Sequence, residues 1–131
     1  MKKTVKIFTL LTLVFTMLTA TVCSAKEAVI SKAYVDSNTY SNIANAVKDT
    51  TTNNAVFNLT AIYKADGTAS NYRKVYARAN SNGIEYSVSV GDYCSMTIPA
   101  GSRSAGSRVY LYCKGNDPSL DCKVSGYWNV H

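Results

Sequence analysis

Two short stretches of this sequence place aromatic and cationic side chains at every second position. Tyr72, Lys74, Tyr76 and Arg78 form one such series, and Tyr110, Tyr112 and Lys114 form another. In an extended chain successive side chains point to opposite faces, so each series would line one face of one strand. Laid side by side, the two make a surface that stacks on sugar rings through tyrosine and attracts phosphates and other anions through Lys and Arg. The plainer reading is that these tyrosines cover a sheet, since Tyr suits a pleated surface and cross-strand aromatic pairs contribute roughly 0.2 to 1 kcal/mol. All ten tyrosines fall beyond position 25, which makes such a surface worth locating. Arg103 and Arg108 flank a Gly/Ser loop and are further candidates for contact with a polyanion.

Catalytic chemistry finds less material. Hydrolysis and group transfer need a nucleophile beside a base, or two carboxylates held by a scaffold. The one histidine, His131, is the last residue, and a chain end holds a base poorly within reach of Cys94. The eight acids are scattered singly, with Asp66, Asp92, Asp117 and Asp121 at expected turns. No phosphate-cradling loop, dinucleotide fingerprint or calcium loop is present, so the expectation is a protein that is not an enzyme and uses no cofactor. Cys94, Cys113, Cys122 and His131 formally make a zinc ligand set, but their spacings of 19, 9 and 9 contain no closely spaced ligand pair, and no metal is expected. Asn58-Leu59-Thr60 matches a glycosylation acceptor and reads as chance inside a strand.

The N-terminus sets the compartment. Lys2, Lys3 and Lys6 precede a charge-free, largely apolar run at 7–22, which ends in Cys23-Ser24-Ala25. This layout predicts a signal peptide over 1–25, cleaved before Lys26, and a single secreted domain over 26–131. The run is short for a membrane span, and the residues before Cys23 fit a lipoprotein signal poorly. Of 14 Lys and Arg, the three at positions 2, 3 and 6 would leave with the signal; the remaining 11 stand against 8 acids, a net charge of +3. So modest a surplus does not indicate nucleic-acid binding.

Outside the cytosol thiols tend to oxidise, and three remain. Residues 114–121 are dense in turn formers, so the flanking strands are expected to fold back antiparallel and bring Cys113 to Cys122. That bridge is the first choice and would stabilise by about 2 to 3 kcal/mol. Cys94, expected as a small buried hydrophobe, could pair with either instead.

The elements that must position these residues are strands. Residues 28–35 read as a first strand from their apolar content, Val29, Ile30, Ala33, Tyr34 and Val35. Two-residue periodicity runs through 56–63, 72–79, 84–90, 93–98, 108–114 and 122–130, broken by Asp66-Gly67, Ser81-Asn82-Gly83, Gly91-Asp92 and Pro99. A short helix is read at 42–47, and 100–107 reads as a surface loop. About seven short strands in one domain predict an all-β fold, an antiparallel β-sandwich or small barrel. Trp128 is expected in the core or at its rim with its indole N–H bonded.

The N-terminal signal, Arg108-Val109-Tyr110-Leu111-Tyr112 and the closing Val124-Ser125-Gly126-Tyr127-Trp128 together resemble small secreted proteins of Gram-positive bacteria that end in a Ser-Gly-Tyr-Trp type segment. That family carries no assigned activity. The tail here continues Asn129-Val130-His131 where the family turns acidic, and the cysteines lie outside its pattern. The functional expectation is a secreted or cell-wall-associated binding protein engaging cell-wall glycan, a polyanion or another surface protein through the Tyr/Lys/Arg face. The alternative is a bacteriocin-like antagonist acting at the cell envelope.

Overall fold

The computed structural model describes residues 27–131; the expected signal peptide and Cys23 lie outside the described residues. Eight strands form: β1 (Glu27–Val35), β2 (Ser41–Val47), β3 (Asn54–Lys64), β4 (Lys74–Ala79), β5 (Tyr86–Ser89), β6 (Tyr93–Thr97), β7 (Arg108–Gly115) and β8 (Cys122–Val130). A single 3-10 turn occupies Ala100–Ser102 inside the expected surface loop. No helix among the described residues is long and apolar enough to cross a membrane.

The strands make two antiparallel four-stranded sheets, in the orders β1-β8-β3-β6 and β2-β7-β4-β5. Pairing is nested: β1 with β8, β2 with β7, β3 with β6 and β4 with β5, while β3–β8 and β4–β7 contacts complete each sheet. Eight strands in this order make a jelly roll, a form of the expected all-β sandwich.

Strict alternation explains the core. Val75, Ala77 and Ala79 of β4 and Val109, Leu111 and Cys113 of β7 point inward from one sheet. Phe57 and Leu59 of β3 and Val124, Trp128 and Val130 of β8 meet them from the other. The helix expected at 42–47 is instead strand β2, because β7 supplies a hydrogen-bonding partner along its length, from Ser41 opposite Cys113 to Val47 opposite Arg108. An edge strand that is half exposed needs little hydrophobic alternation of its own, and this one carries Asn42 and Asn45.

The Ser125-Gly126-Tyr127-Trp128 segment of β8 does four different jobs. Ser125 Oγ accepts from the Lys32 amide at 2.9 Å, holding the bulge of β1 where Lys32 takes a left-handed φ of 47°. Gly126 faces the β3 backbone so closely that a Cβ would lie 2.1 Å from the Asn58 carbonyl oxygen. Tyr127 points outward, 42% exposed. Trp128 is fully buried in the core, and its Nε1 donates to the Val109 carbonyl at 3.1 Å, joining β8 of one sheet to β7 of the other.

The cysteine expectation needs correction. β7 and β8 are not hairpin partners; the 116–121 loop carries the chain from one sheet to the other. Cys113 sits opposite Ser41 and Ala77, Cys122 opposite Val35 and Lys64, and both are buried free thiols, so no Cys113–Cys122 bridge is formed. Burial, then the mutual proximity of the two thiols, pushes the Cys113 pKa well up; burial and Asp121 raise that of Cys122 to about 11. Cys94 is only half-buried on β6, packed against the edge of the core.

One lysine is inside. Lys48 is 1% exposed, with its ammonium donating to Thr52 Oγ1 at 2.7 Å and to the His131 carbonyl at 2.6 Å. A buried charge is tolerated only when hydrogen-bonded, and these contacts fasten the end of β8 to the loop after β2.

Candidate functional site

β4 and β7 are neighbours, and their register brings the two alternating series together. Tyr76 lies directly opposite Lys114 and Arg78 opposite Tyr112. Because Val75, Ala77, Leu111 and Cys113 take the inward positions, Tyr76, Arg78, Tyr110, Tyr112 and Lys114 all fall on the outer face of the β2-β7-β4-β5 sheet. Lys74 continues the row toward Ser89 of β5. Tyr72 does not join it. β4 begins at Lys74, so the alternation does not extend back to Tyr72, which packs against the core and lines a separate cavity of about 160 Å³ with Leu120 and Cys122.

Two residues outside the strands complete the face. Tyr40, just before β2, meets two cations with its ring: the Arg78 guanidinium lies 3.8 Å from the ring centroid and the Lys114 ammonium 5.0 Å from it. The same ammonium is 5.6 Å from the Tyr76 ring. Glu85, before β5, accepts from the Tyr40 hydroxyl and lies 3.8 Å from Lys114. Cation–π attraction thus ties both cations to the Tyr40 ring. The buried Arg78 Nε has no hydrogen-bond partner, so the ring is what faces that guanidinium. Burial and the Glu85 carboxylate together raise the Tyr40 pKa, keeping the phenol protonated.

Next to this stack the face opens into a polar groove of about 430 Å³, lined by Tyr110, Tyr112, Arg108, Asn80, Asn82 and Ser102 among others. Its wall is set by backbone geometry. Asn80 ends β4 with a φ of 59°, a region Asn tolerates better than most residues. From there its Nδ2 donates to Ser102 Oγ at 2.8 Å and its Oδ1 accepts from the Tyr110 amide at 2.9 Å. Gly83 closes the turn where a Cβ would sit 2.0 Å from the Ala79 carbonyl oxygen. Arg108 donates to Asn45 Oδ1, which fixes the guanidinium at the groove's edge. Arg103 is engaged elsewhere, its Nε donating to the Ile98 carbonyl at 2.7 Å.

The groove pairs two tyrosine rings two residues apart on one strand with amides, a hydroxyl and a guanidinium. Such a set can stack on a sugar ring, hydrogen-bond its hydroxyls and neutralise an anionic substituent. Sequence alternation located Tyr76, Arg78, Tyr110, Tyr112 and Lys114; it missed Tyr40, Glu85 and the Asn80–Ser102 pair, which lie in loops.

The remaining reactive groups are arranged differently. Burial, and then Asp92, raises the pKa of the Cys94 thiol, which disfavours the thiolate a nucleophile requires. Among the described residues no three His, Cys, Asp or Glu side chains are grouped to hold a metal ion. No protein-family model, no curated protein and no solved structure matches this chain.

Proposed function

We propose that this chain is an exported, non-catalytic binding protein that holds a cell-envelope glycan or polyanion on the outer face of the β2-β7-β4-β5 sheet. The observation that carries the reading is the continuous row made by Tyr76 opposite Lys114 and Arg78 opposite Tyr112, running into the Tyr110–Tyr112 groove. An anionic glycan strand offers what this row is equipped to meet, with rings to stack on tyrosine and charges to meet Arg108, Lys74 and Lys114. Cations already stacked on Tyr40 lose little freedom on binding, which favours affinity. The export signal read at 1–25 and the resemblance to small secreted proteins of Gram-positive bacteria support an encounter outside the cell.

The test is retention on purified Gram-positive cell wall, before and after chemical removal of its teichoic acid. The parent protein should be retained, and retention should fall as salt rises. Replacing Tyr110, Tyr112 and Arg108 by Ala together should weaken binding at least about tenfold, given roughly 0.5 to 1.5 kcal/mol per aromatic contact. Retention of neither wall preparation would sink the reading.

A further inference from the structure

The opposite face of the sandwich carries a second groove of different chemistry. It spans about 360 Å³ across the β1-β8-β3-β6 sheet. Asn58 of β3 lies directly opposite Tyr127 of β8 on one side and Tyr93 of β6 on the other. The three residues therefore share the outer face, with an asparagine between two tyrosines. Tyr93 is 77% exposed and Tyr127 42%. Their backbones are two strand spacings apart, about 9.5 Å. That distance is close to the length of one disaccharide unit in a flat, extended glycan.

The polar groups around the rings are poised to receive hydroxyls. Asn129 Nδ2 donates to Glu27 at 3.3 Å, while the buried Asn129 Oδ1 has no hydrogen-bond donor. An unpaired buried acceptor is costly, so a rotation of the Asn129 amide that exposed this oxygen to an incoming hydroxyl would satisfy it. Among the described residues no Lys or Arg lines this groove; Glu27 supplies a carboxylate, and the one basic side chain among those lining it is His131. A polyanion would meet repulsion from Glu27, whereas a neutral sugar would meet stacking rings, two amides and a carboxylate acceptor.

We infer that the Tyr93–Asn58–Tyr127 groove is a second binding site, specific for a neutral, flat-chained oligosaccharide and independent of the cationic face. Two sites on opposite faces would let one molecule bridge two glycan strands. Calorimetric titration of the protein expressed from the full chain with cellohexaose and chitohexaose, which are flat, and with maltohexaose, which coils, tests the inference. At least one flat hexasaccharide should bind, with an affinity unchanged between low and high salt. Tyr93→Ala with Tyr127→Ala should weaken it at least about tenfold, while Tyr110→Ala with Tyr112→Ala leaves it unchanged. Tyr93→Ala alone, at an exposed position on an edge strand, reports on the site if the double variant is unstable. Binding of neither flat sugar, equal binding of maltohexaose, or binding that survives loss of Tyr93 and Tyr127 would overturn the inference. The cell-wall test of the cationic face can fail while this one succeeds, and the reverse.

Discussion

The two outer faces of the sandwich share tyrosines and differ in what surrounds them. On the β2-β7-β4-β5 sheet, Tyr40 is covered by Arg78 and Lys114 and tied to Glu85, so its cations are preorganised and partly neutralised. On the β1-β8-β3-β6 sheet, Tyr93 and Tyr127 carry no such cation, no Lys or Arg among the described residues lines their groove, and the Asn129 side-chain oxygen is unpaired. The same residue type thus serves as a platform for cations at Tyr40, and again at Tyr63 of the second sheet, where the Lys32 ammonium lies 4.7 Å from the ring centroid, but carries no cation at Tyr93 and Tyr127. Which role a tyrosine plays is decided by its cross-strand and loop neighbours rather than by its own strand.

The largest expected effect breaks the comparison by removing what both faces depend on. Trp128→Ala empties the core and removes the indole bond between sheets, and should cost about 3 to 5 kcal/mol in urea unfolding. Binding on both faces should fall together. A variant that lost binding on one face only would show that the faces do not share this support.

Gly126→Ala should sharpen the comparison by acting on one face. The added methyl meets the Asn58 carbonyl at 2.1 Å, forcing β3 away from β8 at an expected cost of about 1 to 3 kcal/mol. Neutral-sugar binding at Asn58 should weaken while retention on anionic cell wall stays near that of the parent. Chemical-shift changes that spread to Tyr110 and Tyr112 would contradict this separation.

The smallest effect concerns the phenols. Tyr40 and Tyr34 are both held protonated above the ordinary value of 10.0, Tyr34 at about 12 chiefly through its 2.5 Å hydrogen bond to Asp121. Stability from these bonds is fully present below pH 10, where the unfolded chain also keeps its phenols protonated. It is lost as pH rises through the folded-state values, because unfolding then releases protons. Tyr40→Phe should cost about 1 kcal/mol at neutral pH and flatten the alkaline decline seen in thermal melts taken across that range. An alkaline limb unchanged by Tyr40→Phe would place the sensitivity elsewhere.

Six of the strands were legible through period-two alternation, the direct imprint of half-burial, and β1, which buries only Ile30 and Val35 on either side of its bulge, through its apolar content. β2 was not, since its strand character comes from β7, some 65 residues away in sequence, and its own residues at 42–47 read as a short helix. The turn-rich 114–121 segment suggested a hairpin because local composition records that a chain turns, not which sheet it enters next. In the structure that segment is drawn toward the 36–39 loop: Gly115 N donates to the Asp36 carbonyl at 2.9 Å and Ser37 N to Asp121 Oδ1 at 2.9 Å. The site divided along the same line. Tyr76, Arg78, Tyr112 and Lys114 followed from parity, Tyr72 was misplaced by carrying parity past the start of β4, and Tyr40 and Glu85 had no local signal.

The nested pairing also dictates an order of events. A chain emerging from a ribosome or a translocation channel with its N-terminus leading exposes β1 and β3 well before β8, yet β8 lies between them in the finished sheet. Neither strand can complete its ladder until the last segment arrives, so half of the sandwich waits on the final nine-residue strand. Contacts this distant in sequence slow folding and leave strand edges open to misassociation meanwhile. The β4–β5 pair is the most local, and closure should start there and spread outward toward both ends.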